Sequence, residues 1–319
     1  MTPATRWTVA DIPDQTGRRA FITGANTGLG YQTALALAGA GATVTVAVRD
    51  PQRGEAAAAA IRRVHPQAQV AVTQVDLADL DSVRRTADLW LAGGHPLALL
   101  VNNAGIMALP WAATAQGFES QVGVNHLGHF ALTGLLLPAL RAAADSRVVT
   151  VASSAHNMGR LRTGDSAELA GTATDYSRWG RYGDSKLANL LFMGEFARRL
   201  TAAGLTIISA GAHPGYAATE LQLRQPRLST SRFAGLQEGL MRGLNGVLGQ
   251  SAAMGALPSL FAATDPTVVN GDYIGPDGPF EARGHPRRVG MSTRARDTDL
   301  AARVWRTSEE LTGVRYPFD

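Results

Sequence analysis

The chain contains no cysteine in its 319 residues, which removes disulfides, thiolate zinc sites and cysteine nucleophiles at once. Lysine is almost as scarce: of 30 basic residues, 29 are arginine and one, Lys186, is lysine. Arginine replaces lysine on a solvated surface, but not where a compact, titratable ammonium is needed. Lys186 is therefore a candidate for chemistry, with chance as the bland alternative. No run of about 18 uninterrupted apolar residues occurs, which argues against a membrane span. The segment Met1–Arg19 carries Asp11, Asp14 and arginines without an apolar stretch. Neither a secretory leader nor a membrane anchor is expected, and the expected location is cytoplasmic.

Charge of one sign is also modest. The formal net charge is +4, and the basic residues fall in scattered pairs such as Arg62-Arg63 and Arg198-Arg199. Without a basic stripe interleaved with aromatics, nucleic acid is not an expected partner. His126 and His129 share a helix face and His156 lies near Ser154, but no H-E-x-x-H spacing joins them. They read as packing or hydrogen-bonding residues, and no metal is expected. A G-x-S-x-G elbow is missing too, so the hydrolase reading fails.

What is present is an α/β pattern. Apolar residues make up 45% of the chain, enough for a sizeable core. Short β-branched runs alternate with alanine- and leucine-rich helical stretches, as in a parallel sheet with crossover helices. Candidate strands are Arg19–Thr23, Thr43–Val48, Val70–Val75, Leu97–Val101, Arg147–Ala152 and Thr206–Ala210, with Val268–Ile274 as a seventh. Helices are expected to start near Leu29, Gln52, Asp79, Gln116 and Tyr182, and an amphipathic stretch, Asp297–Leu311, closes the chain. The expectation is one domain over residues 1–319: a doubly wound parallel sheet of about seven strands with helices on both faces, an insertion at about 216–250 and a C-terminal extension at about 279–319.

Thr23-Gly24-Ala25-Asn26-Thr27-Gly28-Leu29-Gly30 follows the first strand and opens a helix. Glycines there permit a tight turn and close approach of a pyrophosphate to backbone N–H groups at a helix N-terminus. The spacing is G-x-x-x-G-x-G rather than G-x-G-x-x-G, so the strand–turn–helix context carries the assignment. After the second strand comes Val48-Arg49-Asp50. An acid at the strand end would accept from a ribose 2′-OH, whereas Arg49 suits a 2′-phosphate, or is simply a surface arginine. Asp76 closes the third strand and is placed to accept from an adenine amino group, to cap the next helix, or both.

Tyr182 and Lys186 stand at i and i+4 in Tyr182-Gly183-Asp184-Ser185-Lys186, one above the other on a helix face. A cation about 5 Å from a phenol is expected to lower its pKa by ~2 units and bring it into acid/base range. Hydroxyls follow the fifth strand at Ser153-Ser154, where α/β active sites open. Asn102-Asn103-Ala104-Gly105 ends the fourth strand, Asn125 lies in the following helix, and His213-Pro214-Gly215 ends the sixth strand.

Taken together, TGANTGLG, NNAGIM, VNHLGHF, VASSAH, YGDSKLAN, HPG and GDYIGPDG resemble the short-chain dehydrogenase/reductase family, most closely its retinol-dehydrogenase-like branch. The resemblance covers about Arg19 to Gly278 and implies a Rossmann-like fold and NADP(H), preferred over NAD(H). It implies Tyr182 as proton donor and acceptor, with Lys186 tuning it and holding the nicotinamide ribose. Ser154 would bond the substrate oxygen, Asn125 would support a water relay, and Arg49 would read the 2′-phosphate. The cofactor set it implies is Gly24, Asn26, Thr27, Gly28, Leu29, Gly30, Asp76, Leu77, Asn103, Ala104, Gly105, Pro214 and Thr219, besides Tyr182 and Lys186. No member of the catalytic tetrad is missing.

The expected reaction interconverts a carbonyl and an alcohol on a medium-sized apolar small molecule, with a homo-oligomer left open. An epimerase, dehydratase or alkene reductase with the same tetrad is the alternative. A non-enzymatic nicotinamide sensor would typically lose the Tyr/Lys pair. For the substrate pocket, Met107, Trp111 and Tyr216 are the candidates. Residues 216–250 read either as a lid, because Phe233, Leu236, Leu240, Met241 and Leu244 recur at helical spacing among loosening glycines, or as an ordinary core helix.

Overall fold

In the computed structural model, the described residues are 6–174, 176–215 and 250–318. The candidate lid, with Tyr216 and Thr219, lies outside them.

Eight strands form one sheet: β1 Arg19–Thr23, β2 Thr43–Val48, β3 Val70–Gln74, β4 Leu99–Asn102, β5 Arg147–Val151, β6 Ile208–Ala212, β7 Tyr273–Pro276 and β8 Pro286–Arg288. Their order is β3-β2-β1-β4-β5-β6-β7-β8, and all neighbours are parallel except the final β7·β8 pair. The sequence reading of about seven strands thus misses β8. That strand is three residues long with two exposed arginines, so it shows no apolar alternation. The other boundaries shift by a few residues at most, except for the seventh strand, which starts at Tyr273 rather than Val268 because residues 265–272 form turns.

The main helices are α1 Gly28–Gly39, α2 Pro51–Val64, α3 Leu80–Ala92, α4 Gly128–Leu135, α5 Arg178–Ala202, α6 Ala252–Thr264 and α7 Thr298–Thr312. One apolar core joins the sheet to α1, α2 and α6, and a second joins its other face to α3, α4, α5 and α7. Covered on both faces, β4 and β5 are buried along their whole length, which explains why successive residues such as Leu99-Leu100-Val101 and Val148-Val149 are apolar. α7 packs back as its amphipathic pattern demands. Trp305 is fully buried, with Phe130, Phe192, Phe196 and Tyr316 around its ring.

The strand order reverses between β1 and β4, so a crevice opens beyond their carboxyl ends. The glycine turn after β1, the Asn103-Ala104-Gly105 turn after β4 and the serines after β5 all face that edge.

Candidate active site

The turn between β1 and α1 is built from close backbone approach. Gly24 (φ +66°) and Gly28 (φ +57°) adopt left-handed conformations that favour glycine. A Cβ on Gly30 would lie 2.4 Å from the Asn103 amide nitrogen and 2.5 Å from the Gly24 carbonyl oxygen. The Thr27 side chain makes no capping bond to α1, so its hydroxyl does not occupy the first-turn N–H groups, which suit an anion. The β4 turn is bolted to this loop. Thr23 Oγ1 accepts from the Asn103 and Ala104 amides (both 2.9 Å), and Asn103 Nδ2 donates to the Thr23 carbonyl (2.8 Å). A dinucleotide therefore fits the cradle these glycines keep open.

His129 completes this assembly. Its Nδ1 faces the Asn125 carbonyl at 3.0 Å and must donate, so its Nε2 accepts from the Thr23 hydroxyl at 2.9 Å. Burial pushes its pKa down to about 4, which agrees with that neutral tautomer. The sequence reading placed His129 among hydrogen-bonding residues but did not connect it to the glycine turn.

At the end of β2, Arg49 is exposed. Asp50 caps α2, accepting from Gln52 N and Arg53 N, and pairs with Arg53. The nearest acid is thus committed to the helix, and the charge presented beside the strand end is cationic. Asp76 accepts from Ala78 N at 2.9 Å in a local turn, while the cap of α3 is Asp79. The capping alternative for Asp76 is corrected accordingly, and Leu77 beside it is buried.

Asn125 sits in a π-helical turn, Gly123–Leu127, just before α4. Its Nδ2 donates to the Ile106 carbonyl (2.9 Å) and to Ser185 Oγ (2.9 Å), and its Oδ1 accepts from Ile106 N (2.8 Å). Ser185 Oγ in turn donates to the Tyr182 carbonyl at 2.8 Å. Both amide hydrogens are spent on locking the 105–107 segment to α5. A water relay through Asn125 is left with its main-chain carbonyl, beyond the His129 bond.

Tyr182 and Lys186 rise from the first turns of α5, both nearly inaccessible to solvent. Lys186 Nζ lies 5.7 Å from the Tyr182 ring centroid and donates to the Val151 carbonyl at 3.1 Å. Burial pushes Lys186 down to about 8. It pushes Tyr182 up to about 12, with the Ser153 hydroxyl offsetting part of that rise. The depression expected from the lysine is therefore outweighed here by desolvation of the phenol.

The serine assignment needs a correction. The hydroxyl near enough to lower the Tyr182 phenol belongs to Ser153, whereas Ser154 is exposed and lies in the following helical turn. A strand alternates its side chains, and the backbone stays extended through Ser153 (φ −162°, ψ 156°) before turning at Ser154. Val151 and Ala152 face opposite cores, so strand direction alone does not choose between the serines, and what separates them is that Ser153 is partly buried and Ser154 exposed. The adjacent pair leaves this choice open in the sequence, where the resemblance points to Ser154; the structure brings Ser153 nearer the phenol.

Met107 is partly buried and Trp111 is 44% exposed, and both follow the β4 turn. Pro214 follows β6, its carbonyl accepting from Gln250 Nε2. Among the described residues, no group of three or more His, Asp or Glu side chains is arranged to hold a metal ion, and no helix is long and apolar enough to cross a membrane.

Known proteins resemble this chain in sequence and fold. The short chain dehydrogenase family profile matches residues 18–164. Mouse retinol dehydrogenase 12 is 39% identical over 302 residues, covering 94% of this chain and 88% of its own. Mouse polyprenol dehydrogenase is 40% identical over 310 residues, covering 95% and 86%. Among solved structures, an uncharacterized protein from Mycobacterium paratuberculosis is 44% identical, with a TM-score of 0.79 over 98% of this chain and all of that one. The chain belongs to the short-chain dehydrogenase/reductase family, in its retinol-dehydrogenase-like branch.

Proposed function

We propose that the chain is an NADP(H)-dependent oxidoreductase that interconverts an apolar aldehyde or ketone with its alcohol, with Tyr182 as the general acid/base. The observation that carries this reading is the buried Tyr182 between the partly buried Ser153 and the chain's one lysine. The dinucleotide would lie along Gly24, Asn26, Thr27, Gly28, Leu29 and Gly30, with Asn103, Ala104, Gly105 and Pro214 along its course, and when bound it supplies hydride to the carbonyl carbon. Ser153 Oγ accepts from Ala155 N at 3.2 Å, and its one hydrogen, directed at the Tyr182 phenol oxygen when the site is empty, would turn to the substrate oxygen. Tyr182 Oη gives its proton to that oxygen as negative charge develops there.

The raised Tyr182 pKa suits a proton donor. A phenol held at about 12 is protonated throughout the physiological range, yet an alkoxide is more basic than a phenolate and takes its proton. Oxidation must begin from the phenolate, which burial disfavours. Lys186 provides the cation that makes this phenolate reachable.

Two features support an apolar substrate. Its relatives are named for retinol and polyprenol, both apolar primary alcohols. In this chain, Trp179 stands edge-on to Tyr182 with ring centroids 6.2 Å apart and is itself half exposed. Met107 and Trp111 would form another wall.

Preference for NADPH follows from Arg49. A charge-assisted bond to a 2′-phosphate contributes roughly 1.5–3 kcal/mol, a factor of about 10–150 in kcat/KM. Steady-state kinetics with NADPH and NADH should show that margin in the parent and its loss or inversion in Arg49→Asp. A parent that already prefers NADH contradicts the assignment of Arg49.

A further inference from the structure

Behind Ser153 lies a second buried polar cluster that the reaction as described does not use. His156, on the helical turn after β5, directs Nδ1 at the Ser153 carbonyl at 2.7 Å, and its backbone amide reaches the same oxygen at 3.0 Å. A carbonyl only accepts, so Nδ1 carries the hydrogen. Nε2 is then an acceptor, and it receives the Ser292 backbone N–H at 3.2 Å. One neutral imidazole thus joins the backbone of Ser153 to the C-terminal extension, more than a hundred residues away in sequence. The edge of the His156 ring meets Tyr273 of β7, with centroids 5.9 Å apart and planes at 87°. Tyr273 also packs on His213, which pairs with Glu281 at 3.0 Å. The Tyr273 hydroxyl is buried without a hydrogen-bond partner among the described residues.

We propose that His156 is a positioning residue for reduction: its Nδ1–H fixes the Ser153 carbonyl and thereby aims the Ser153 hydroxyl at Tyr182, while Nε2 makes that aim depend on the docked 292 segment. The inference rests on the reading of Tyr182 and Ser153 as the acid and its partner. Besides the imidazole, the Ser153 carbonyl is held only by the His156 backbone N–H at 3.0 Å, and its hydroxyl accepts a long bond from Ala155 N at 3.2 Å. A misplacement of about 1 Å at a reacting group costs up to ~10²-fold in rate. Burial holds this part of the molecule uncharged: His156 is lowered by burial, and His213 falls to about 4 through burial with His156 beside it. The clamp is therefore not a proton switch in the physiological range.

Three substitutions separate the roles. His156→Phe keeps the ring and its edge contact with Tyr273 but removes both hydrogen bonds. His156→Asn places an amide nitrogen where Nδ1 stands and keeps the Ser153 bond, while His156→Gln reaches toward Ser292 instead. Reduction of an apolar aldehyde by NADPH should drop by ~10–100-fold in kcat for Phe and Gln, with KM for NADPH within about twofold of the parent, and Asn should recover most of the loss. The pH profile adds a readout that simple loosening would not move. The groups facing the Tyr182 phenol are Lys186 on its own helix, Ser153 after β5, and Tyr273 on β7. The Ser153 bond lowers the phenol's pKa, so losing its aim should move the basic limb of alcohol oxidation to higher pH in Phe and leave it in place in Asn.

A double-mutant cycle guards against a folding defect. If His156 acts through Ser153, then His156→Phe should cost little further activity in a Ser153→Ala background. Additive losses, a Phe variant with parental kcat and pH profile, or an Asn variant no better than Phe would each overturn the proposal. A parent that reduces no carbonyl compound with NADPH overturns the functional reading itself, and so the two failures are distinguishable.

Discussion

Replacing Tyr182 with phenylalanine should lower carbonyl reduction by at least ~10²–10⁴-fold while leaving NADPH affinity within a few-fold of the parent. The phenyl ring keeps its place, since it is buried at the top of α5 against Trp179. What is lost is one oxygen, the one that lies near Ser153 and that is proposed to carry the proton. The glycine cradle, the Thr23–Asn103 bolt and the Asn125 lock make no use of that oxygen. Dinucleotide binding is thus insulated from the change. Stopped-flow turnover and fluorescence titration of NADPH on the same preparation separate the two quantities. Activity within about tenfold of the parent would remove Tyr182 from the chemistry.

Lys186→Met should do two opposite things: cut turnover by ~10²-fold or more and make the protein more stable at neutral pH. The turnover loss follows because no other lysine exists to supply the ammonium beside Tyr182. The stability gain follows from burial. Lys186 falls from 10.5 to about 8 because its charged form is desolvated, which corresponds to about 3 kcal/mol of penalty below that pH. Losing the bond to the Val151 carbonyl returns part of this, so a net gain of about 1–3 kcal/mol is expected.

The sign can be checked against pH. Between about 8 and 10.5 the unfolded lysine holds a proton that the folded one has released, so parental stability rises with pH there and the advantage of methionine shrinks. Tyr182, raised from 10.0 to about 12, acts in the opposite sense and at higher pH. Denaturant titrations of both proteins across that window measure the difference. A methionine variant less stable than the parent at neutral pH would mean that Lys186 is well compensated in its pocket.

The sheet and the cofactor turn were legible in the sequence because their signals are local. Fully covered strands such as Leu99–Asn102 read as apolar runs, and the glycine turn stands directly between strand and helix. Tyr182 and Lys186 were legible because a helix turns i and i+4 to one face. Choices that depend on tertiary direction were not. Ser153 and Ser154 are chemically identical neighbours, and which of them comes near Tyr182 depends on how the chain turns after β5. The partners of His129 and His156 are distant in sequence, Thr23 for one and Ser292 for the other, and no spacing rule connects them. β8 escaped because an exposed, arginine-bearing edge strand carries no apolar period. The expected fall in the Tyr182 pKa failed for a different reason: charge proximity was counted and desolvation was not.

The account stands or falls on whether hydride reaches a carbonyl carbon while oxygen takes its proton from this site. The direct measurement is single-turnover reduction of a long-chain apolar aldehyde with NADPH deuterated at the transferable position of C4, the product being read by mass spectrometry and NMR. The account predicts an alcohol with one deuterium on the carbinol carbon, formed by the parent and not by Tyr182→Phe. Deuterium on an alkene carbon, or product formed equally by the phenylalanine variant, would contradict it.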